Sequence, residues 1–280
     1  MKRILITGAN SYIGTSVEKW LSQWPDKYTV DTIDMIDGKW RKESFAGYDV
    51  VFHVAGIAHI RETKKNRDLY YKVNRDLAYE TAKKAKAEGV NQFIFLSSMS
   101  VYGVDNGVIN KNTPLNPKSN YGKSKLQAEK LIKPLCDDNF KVAILRPPMV
   151  YGKGCKGNYP KLAKLAVKIP VFPYVDNRRS MIYIDNLCEF VRLLIDNGSR
   201  GLFFPQNDEY VNTSEMVKLI AEVHGKKIIL TKLFNPILRL LKIAIVNKVF
   251  GDLTYEMSMS EYQGNYRICG FKKSIESTEG

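Results

Sequence analysis

Short β-branched runs alternate with amphipathic stretches through the first half of the chain. The runs Arg3 to Thr7, Tyr28 to Asp34, Val50 to Ala55, Gln92 to Ser98 and Lys141 to Arg146 read as five strands. Several are apolar at successive positions, which predicts burial on both faces, as in a parallel sheet covered by helices. Between them, polar positions recur at helical spacing near Tyr12 to Trp24, Arg67 to Glu88 and Asn120 to Asp138. The pattern predicts an α/β fold with a doubly wound parallel sheet.

After Arg146 the rhythm breaks. Pro147, Pro148, Gly152, Gly154, Gly157, Pro160, Pro170 and Pro173 cut the chain into loops around one helix, Tyr159 to Lys168. Further on, Asp185 is expected to cap a helix through Asp196, Gly201 to Phe204 to form a strand, and Thr213 to cap a helix through His224. Residues 1–150 are therefore read as a nucleotide-binding domain. Residues 151–280 are read as a smaller α/β substrate-binding portion, with some chain crossing back to the sheet. The stretch Pro236 to Phe250 is apolar but interrupted by Arg239, Lys242 and Lys248, which suits a core or dimer-interface helix, or a basic helix resting on a membrane surface.

The content of 44% hydrophobic and 26% charged residues is that of an ordinary globular protein. The excess of 43 basic over 29 acidic residues, +14 at pH 7, favours anionic partners. No recognition-helix, zinc-finger or RNA-strand signature accompanies it, so nucleic acid is not expected as a partner. The four cysteines, Cys136, Cys155, Cys188 and Cys269, have no paired or metal-ligand spacing. They read as free thiols in the cytoplasm, with no metal site. Met-Lys-Arg runs straight into the first strand, leaving no room for a signal peptide, and no stretch is long enough to span a bilayer.

Two segments carry chemistry. The first joins the first strand to the first helix as Gly8-Ala9-Asn10-Ser11-Tyr12-Ile13-Gly14, where a dinucleotide pyrophosphate can meet free backbone N–H groups and the positive helix end. Ser11 stands where the middle glycine of such turns is expected. Asp34, 20 residues after Gly14, is placed to accept hydrogen bonds from ribose hydroxyls, which favours NAD while leaving NADP open. Asp37 is a competitor for that role in a shifted register.

The second segment is Tyr121-Gly-Lys-Ser-Lys125, with a strand ending in Ser97-Ser98 located 23 residues before Tyr121. Tyr121 and Lys125 lie one helical turn apart on one face. An ammonium and an oxidised nicotinamide beside the phenol would favour phenolate, suiting Tyr121 for acid–base work, with Ser98 hydrogen-bonding the reacting oxygen. Tyr79 and Lys83 share the spacing but lie within a long polar helix that no serine-bearing strand precedes. Arg179 is a candidate fork for a substrate diphosphate, with Lys153, Lys156, Lys161 and Lys164 as a basic rim. His53, inside an apolar strand, reads as a core residue.

In this order the motifs TGANSYIG (7–14), DVVFHVAG (49–56), Val73-Asn74, SSMSVYG (97–103), YGKSK (121–125), RPPMVYG (146–152) and RSMIYID (179–185) resemble the NAD-dependent epimerase/dehydratase family of extended short-chain dehydrogenases. The resemblance runs from Ile4 to about Lys227 and implies a Rossmann-type fold and a nucleotide-sugar substrate. It implies that Ser98, Tyr121 and Lys125 are catalytic and that Lys125 also holds the nicotinamide ribose. It adds Ala55, Gly56, Ser97 and Pro147 to the cofactor set, and places Ser98, Ser100, Met149, Asn158 and Arg179 against substrate. It further implies a homodimer.

Family dehydratases have Asp-Glu where this chain has Met99-Ser100, which excludes dehydration. Typical epimerases of the family have asparagine at the Met149 position. The short interval from Gly14 to Asp49 implies an abbreviated strand or helix. The wording around Met149 and Arg179 is similar to a capsule and O-antigen branch. The reaction expected is hydride transfer at C4 of a UDP-hexose, as in a 4-epimerase. A 4-keto-6-deoxy-sugar reductase and a non-catalytic dinucleotide sensor are the alternatives.

Overall fold

The computed structural model describes residues 1–58, 60, 62–233, 235–236 and 249–280. The expected helix Pro236 to Phe250 falls, over 237–248, outside the described residues. In chain order the strands are β1 (Lys2–Thr7), β2 (Tyr28–Ile33), β3 (Val50–His53), β4 (Gln92–Leu96), β5 (Gly107–Ile109) and β6 (Lys141–Leu145). They continue as β7 (Met149–Tyr151), β8 (Val171–Pro173), β9 (Met181–Tyr183), β10 (Gly201–Phe203), β11 (Ile229–Thr231) and β12 (Leu253–Tyr255).

Two compact units emerge: 1–103, 114–147 and 187–205 form the first, and 104–113, 148–186 and 206–280 the second. The chain crosses between the two units at several points. The chain returns to the first unit because β10 pairs in parallel with β6, adding Gly201 to Phe203 to the sheet edge.

In the first unit a six-stranded sheet has the order β10-β6-β4-β3-β1-β2, and its strands pair in parallel. Strand positions alternate between faces: Ile4 and Ile6 are fully buried on one, Leu5 on the other. Leu5, Val51, Phe93, Phe95, Val142 and Ile144 share a core with Ala78, Ala82, Ala85, Ala128 and Ile132. These last five come from two helical segments. One is the continuous stretch α2 (Arg67–Tyr71), a wider π-turn (Lys72–Asp76) and α3 (Leu77–Ala87); the other is α4 (Asn120–Ile132). The small side chains of α3 let it lie close on the sheet.

The abbreviation expected after Gly14 is real. Helix α1 (Tyr12–Leu21) joins β1 to β2, but a 3₁₀ turn, Lys39–Arg41, anchored by buried Trp40, replaces a crossover helix between β2 and β3. Because β1 leads out to β2 on one side and β3 lies on its other side, the sheet has its switch point between β1 and β3. Ligands of such sheets bind outside the carboxyl ends of the strands at that point.

Among the described residues, the second unit holds three parallel strand pairs, β7 with β9, β8 with β11 and β5 with β12. Its helices include α5 (Tyr159–Ala166) and α7 (Thr213–Val223), shorter than the expected stretches to Lys168 and His224. The cap of α7 is Asn212, not Thr213: its side chain accepts from the N–H groups of Ser214 and Glu215 at 2.9 and 3.1 Å. Asp185 lies in the first turn of α6 (Ile184–Asn197). All four cysteines are free.

Helix α4 sits where it does because Gly122, in its first turn, has no side chain. A Cβ there would lie 2.5 Å from the carbonyl oxygen of Ser100. Alanine is the better helix former by about 1 kcal/mol, yet the clash is with backbone and must move either α4 or the 98–103 turn. Gly122→Ala is therefore expected to destabilise the protein by about 1–3 kcal/mol, read as a lower urea midpoint with unchanged slope.

Candidate active site

Strand β1 ends at Thr7, and Gly8 turns with φ +106°. A Cβ on Gly8 would lie 2.8 Å from the backbone nitrogen of Ala55, which in turn donates to Thr7 O at 3.0 Å. This close approach brings the turn after β1 against the residues after β3, at the switch point. Asn10 follows with φ +64°, and Ser11 caps α1 by accepting from Gly14 N at 3.2 Å. Tyr12 and Ile13 occupy the first turn, whose N–H groups face the end of the sheet. The cradle Gly8, Asn10, Ser11, Tyr12, Ile13 and Gly14 thus suits a pyrophosphate. Ser11 does not spoil it, because its hydroxyl is occupied as the cap.

Asp34 follows β2 directly, is exposed, and accepts from Ile36 N at 2.9 Å. Asp37 is engaged elsewhere. It pairs with Lys39 at 2.9 Å, and its carboxyl is held below the usual range by that lysine. The position next to the strand end favours Asp34 over Asp37 for the ribose.

At the carboxyl end of β4, Ser97 and Ser98 face opposite ways. Ser97 is buried and donates to Glu129 Oε1, so its hydroxyl is committed to the core rather than open to a cofactor. Ser98 Oγ accepts from Ser100 N and bonds Ser100 Oγ, both at 3.1 Å, and its hydroxyl lies near enough to the Tyr121 side chain to influence the phenol. Met99 N donates to Pro147 O at 3.0 Å, fixing the turn after β4 against the end of β6.

Helix α4 presents Tyr121 and Lys125. Its start is held twice: Ser119 Oγ accepts from Gly122 N at 3.0 Å, and the Glu62 carboxylate accepts from the N–H groups of Asn120 and Tyr121, both at 3.1 Å. Burial raises the Tyr121 phenol above its ordinary value, the neighbouring Ser98 hydroxyl opposes the rise, and Tyr70 adds to it. By itself the protein therefore keeps Tyr121 protonated at neutral pH. The expected push from Lys125 is not what sets the phenol here.

Lys125 is 4% exposed, donates to Leu96 O at 2.8 Å and lies 4.8 Å over the Phe95 ring. A Cβ on Gly56 would come within 3.3 Å of its Nζ and 3.0 Å of Asn74 Oδ1, so Gly56 faces both. Burial lowers the Lys125 ammonium to about 8, with Glu129 pulling the other way. Lys125 is thus a cation at pH 7 with little to spare. His53 lies in the same core, its Nδ1 2.7 Å from Thr7 Oγ1 and its ring stacked on Phe93 and Phe95. Burial, then Lys125, lowers it to about 3, so it stays neutral; its buried Nε2 has no hydrogen-bond partner among the described residues. The core assignment holds, with one ring nitrogen unsatisfied.

Four residues of this site were not singled out as functional from the sequence. Asn74, in the π-turn, accepts from Ile57 N at 2.8 Å and donates to Ile57 O and Ser124 Oγ. Glu129, one turn beyond Lys125, receives Arg146 Nη2 at 2.5 Å and Nε at 3.0 Å, and Arg146 Nη1 reaches Tyr102 Oη at 3.0 Å. Its i+4 spacing from Lys125 was the available signal. Glu62 carried none, since its role depends on loop geometry. The decoy pair separates cleanly: Lys83 is exposed and lies 5.6 Å over the Tyr79 ring.

In the second unit, Met149 pairs with Met181 across β7 and β9. Two residues before Met181, Arg179 donates from Nη1 to Gly251 O at 2.7 Å, and burial lowers its guanidinium, opposed by Asp252. Asn158, exposed, precedes α5, and Lys153, Lys156, Lys161 and Lys164 are exposed.

A sheet with this switch point, a phosphate cradle after β1 and a Ser, Tyr, Lys cluster after β4 defines a short-chain-dehydrogenase type of site. The chain belongs to the NAD dependent epimerase/dehydratase family, whose model matches residues 4–204. It is 31% identical over 246 residues to a UDP-glucose 4-epimerase of Vibrio cholerae, covering 79% of this chain and 75% of that one. It is 28% identical over 240 residues to an N-acetyl-α-D-glucosaminyl-diphospho-ditrans,octacis-undecaprenol 4-epimerase of Escherichia coli O157:H7, covering 79% and 71%. A UDP-glucuronic acid 4-epimerase from Bacillus cereus, solved in complex with NAD, shares the fold at TM-score 0.72 and 19% identity, over 99% of this chain and 97% of that one.

Glu129→Gln removes the carboxylate that both pairs Arg146 and supports Lys125. The expected outcome is a stability loss on the order of 3–5 kcal/mol, measured by denaturant unfolding. The same variant should move the Lys125 midpoint to below its value of about 8, measured by NMR titration of carbon-labelled lysine.

Proposed function

We propose that this protein is an NAD(P)-dependent enzyme acting at C4 of a UDP-hexose, as a 4-epimerase. The observation that carries the reading is the Tyr121 side chain beside Ser98 at the carboxyl end of β4, with the Lys125 ammonium one helical turn away beside Gly56. Gly8, Asn10, Ser11, Tyr12, Ile13 and Gly14 would hold the pyrophosphate. Asp34 would take the adenosine ribose, while Ala55, Gly56, Pro147 and Lys125 would line the nicotinamide end. When bound, nicotinamide supplies the hydride acceptor and donor that no side chain can provide.

The proton belongs to Tyr121. Its raised phenol keeps that proton on at neutral pH, so it is present to be given to a C4 oxygen. Working as a base requires added positive charge nearby, which the oxidised form of the cofactor brings. Ser98 holds the C4 oxygen, and Ser100, which shares its hydrogen bond, extends that contact to the sugar. Arg179, Met149 and Asn158 are assigned to the nucleotide diphosphate and its surroundings. The protein is read as a cytoplasmic homodimer, in keeping with its free thiols and its family.

The reductase reading draws on Met149, where a thioether replaces the amide typical of family epimerases. Incubation with UDP-glucose or UDP-galactose separates the two: interconversion with no net change in nicotinamide absorbance supports the epimerase, and stoichiometric loss of absorbance with a 4-keto sugar supports the reductase.

Tyr121→Phe is expected to lower kcat by about 10²–10⁴-fold with an unchanged fold and retained dinucleotide binding. Full turnover in that variant would remove the basis of the catalytic assignment, whereas full biological function without turnover would favour the dinucleotide sensor.

A further inference from the structure

The net charge of +14 is not spread evenly. Residues 148–175 contain five lysines and no acidic residue, and residues 223–251 contain six basic residues and no acidic one. Within the second unit, the described parts of these two stretches meet at one strand pair. Strand β8 pairs with β11 in the register Val171 to Ile229, Tyr174 N donates to Thr231 O at 2.8 Å, and Lys232 Nζ lies 5.5 Å over the Tyr174 ring.

The ribbon they form turns one face to the core through Phe172, 3% exposed, and presents aliphatic side chains to solvent on the other. Val171 and Ile229, register partners, are 37% and 66% exposed, and Leu233 just beyond is 82% exposed. Leu165 is exposed near the end of α5. Lys161, Lys164, Lys168, Lys226, Lys227 and Lys232 are exposed along the same segments, with Asp176 and Glu222 the flanking acids in the chain.

We infer that this surface docks the enzyme on an anionic phospholipid bilayer. Lysines on long flexible stems meet the headgroup phosphates, and the aliphatic side chains at the tip of the ribbon enter the boundary between headgroups and acyl chains. A second copy of this face would bring like charges together. A nucleic acid would answer the charge but gives exposed Ile229 and Leu233 nothing to enter, and single strands are gripped by stacking aromatics, of which none is exposed among the described residues of this face. The inference does not depend on the reaction assigned above.

The test is co-sedimentation of the full-length protein with phosphatidylcholine vesicles containing or lacking phosphatidylglycerol. Binding should be at least roughly tenfold tighter to the anionic vesicles and fall steeply with added salt. The exposed-site variant Ile229→Asp/Leu233→Asp should weaken it by roughly tenfold or more, as should Lys168→Glu/Lys227→Glu. Lys19→Glu/Lys83→Glu, with the same charge change in the first unit, should bind as wild type. Circular dichroism and activity on a soluble UDP-sugar should be unchanged for Ile229→Asp/Leu233→Asp, which separates this inference from the catalytic one. Absence of vesicle binding, equal loss in Lys19→Glu/Lys83→Glu, insensitivity to the aspartates, or tighter capture of duplex DNA unaffected by those aspartates would each overturn it.

Discussion

The first unit depends on one buried ion pair. Glu129 and Arg146, 4% exposed each, tie α4 to the end of β6, while Ser97 joins the same carboxylate from the end of β4. Two ions in a core are expensive unless every lone pair and proton is used. Here the guanidinium spans both carboxylate oxygens and Tyr102, and one oxygen also takes a serine proton. A helix and two strand ends therefore share one geometry. Tyr121 and Lys125 are carried by that helix, and Ser98 by that strand, so their mutual placement follows from the pair beneath them.

The same pair acts through space. Lys125 is buried deeply enough to be near losing its proton, and the carboxylate one turn below holds the ammonium in place. His53, closer to the sheet, takes the opposite course and remains neutral, so the core contains one cation at this level rather than two. Charge in the site is thus allocated by depth and by a single acid, leaving the phenol of Tyr121 to be tuned by what binds above it.

Much of this was legible in the chain. The five strands, the glycine turn and the shared helix of Tyr121 and Lys125 could be placed because each rests on local spacing: period two, a strand-to-helix turn, i to i+4 on one helix. Alternation along a strand says only that neighbours face apart, so it did not tell which of Ser97 and Ser98 turns its hydroxyl to the core. Thr213 and Asn212 compete as caps one residue apart, and only backbone conformation decides between them. Glu62, Asn74 and Arg146 lay beyond reach for a common reason: each acts across 17 to 59 residues of sequence, where no periodicity reports who meets whom. The exposed aliphatics of β8 and β11 were hidden similarly, since two unremarkable stretches become one face only after pairing.

The π-turn at Lys72–Asp76 has a consequence of its own. Such a turn holds an extra residue against the ordinary pitch, and each residue rotates a helix by about 100°. Asn74 is aimed at Ile57 by this local widening, while Ala78, Ala82 and Ala85 downstream still meet the sheet. The helix thus keeps two registers, one addressed to the loop after β3 and one to the hydrophobic interior. Evolution by single-residue deletion in this stretch could preserve one alignment only by forfeiting the other.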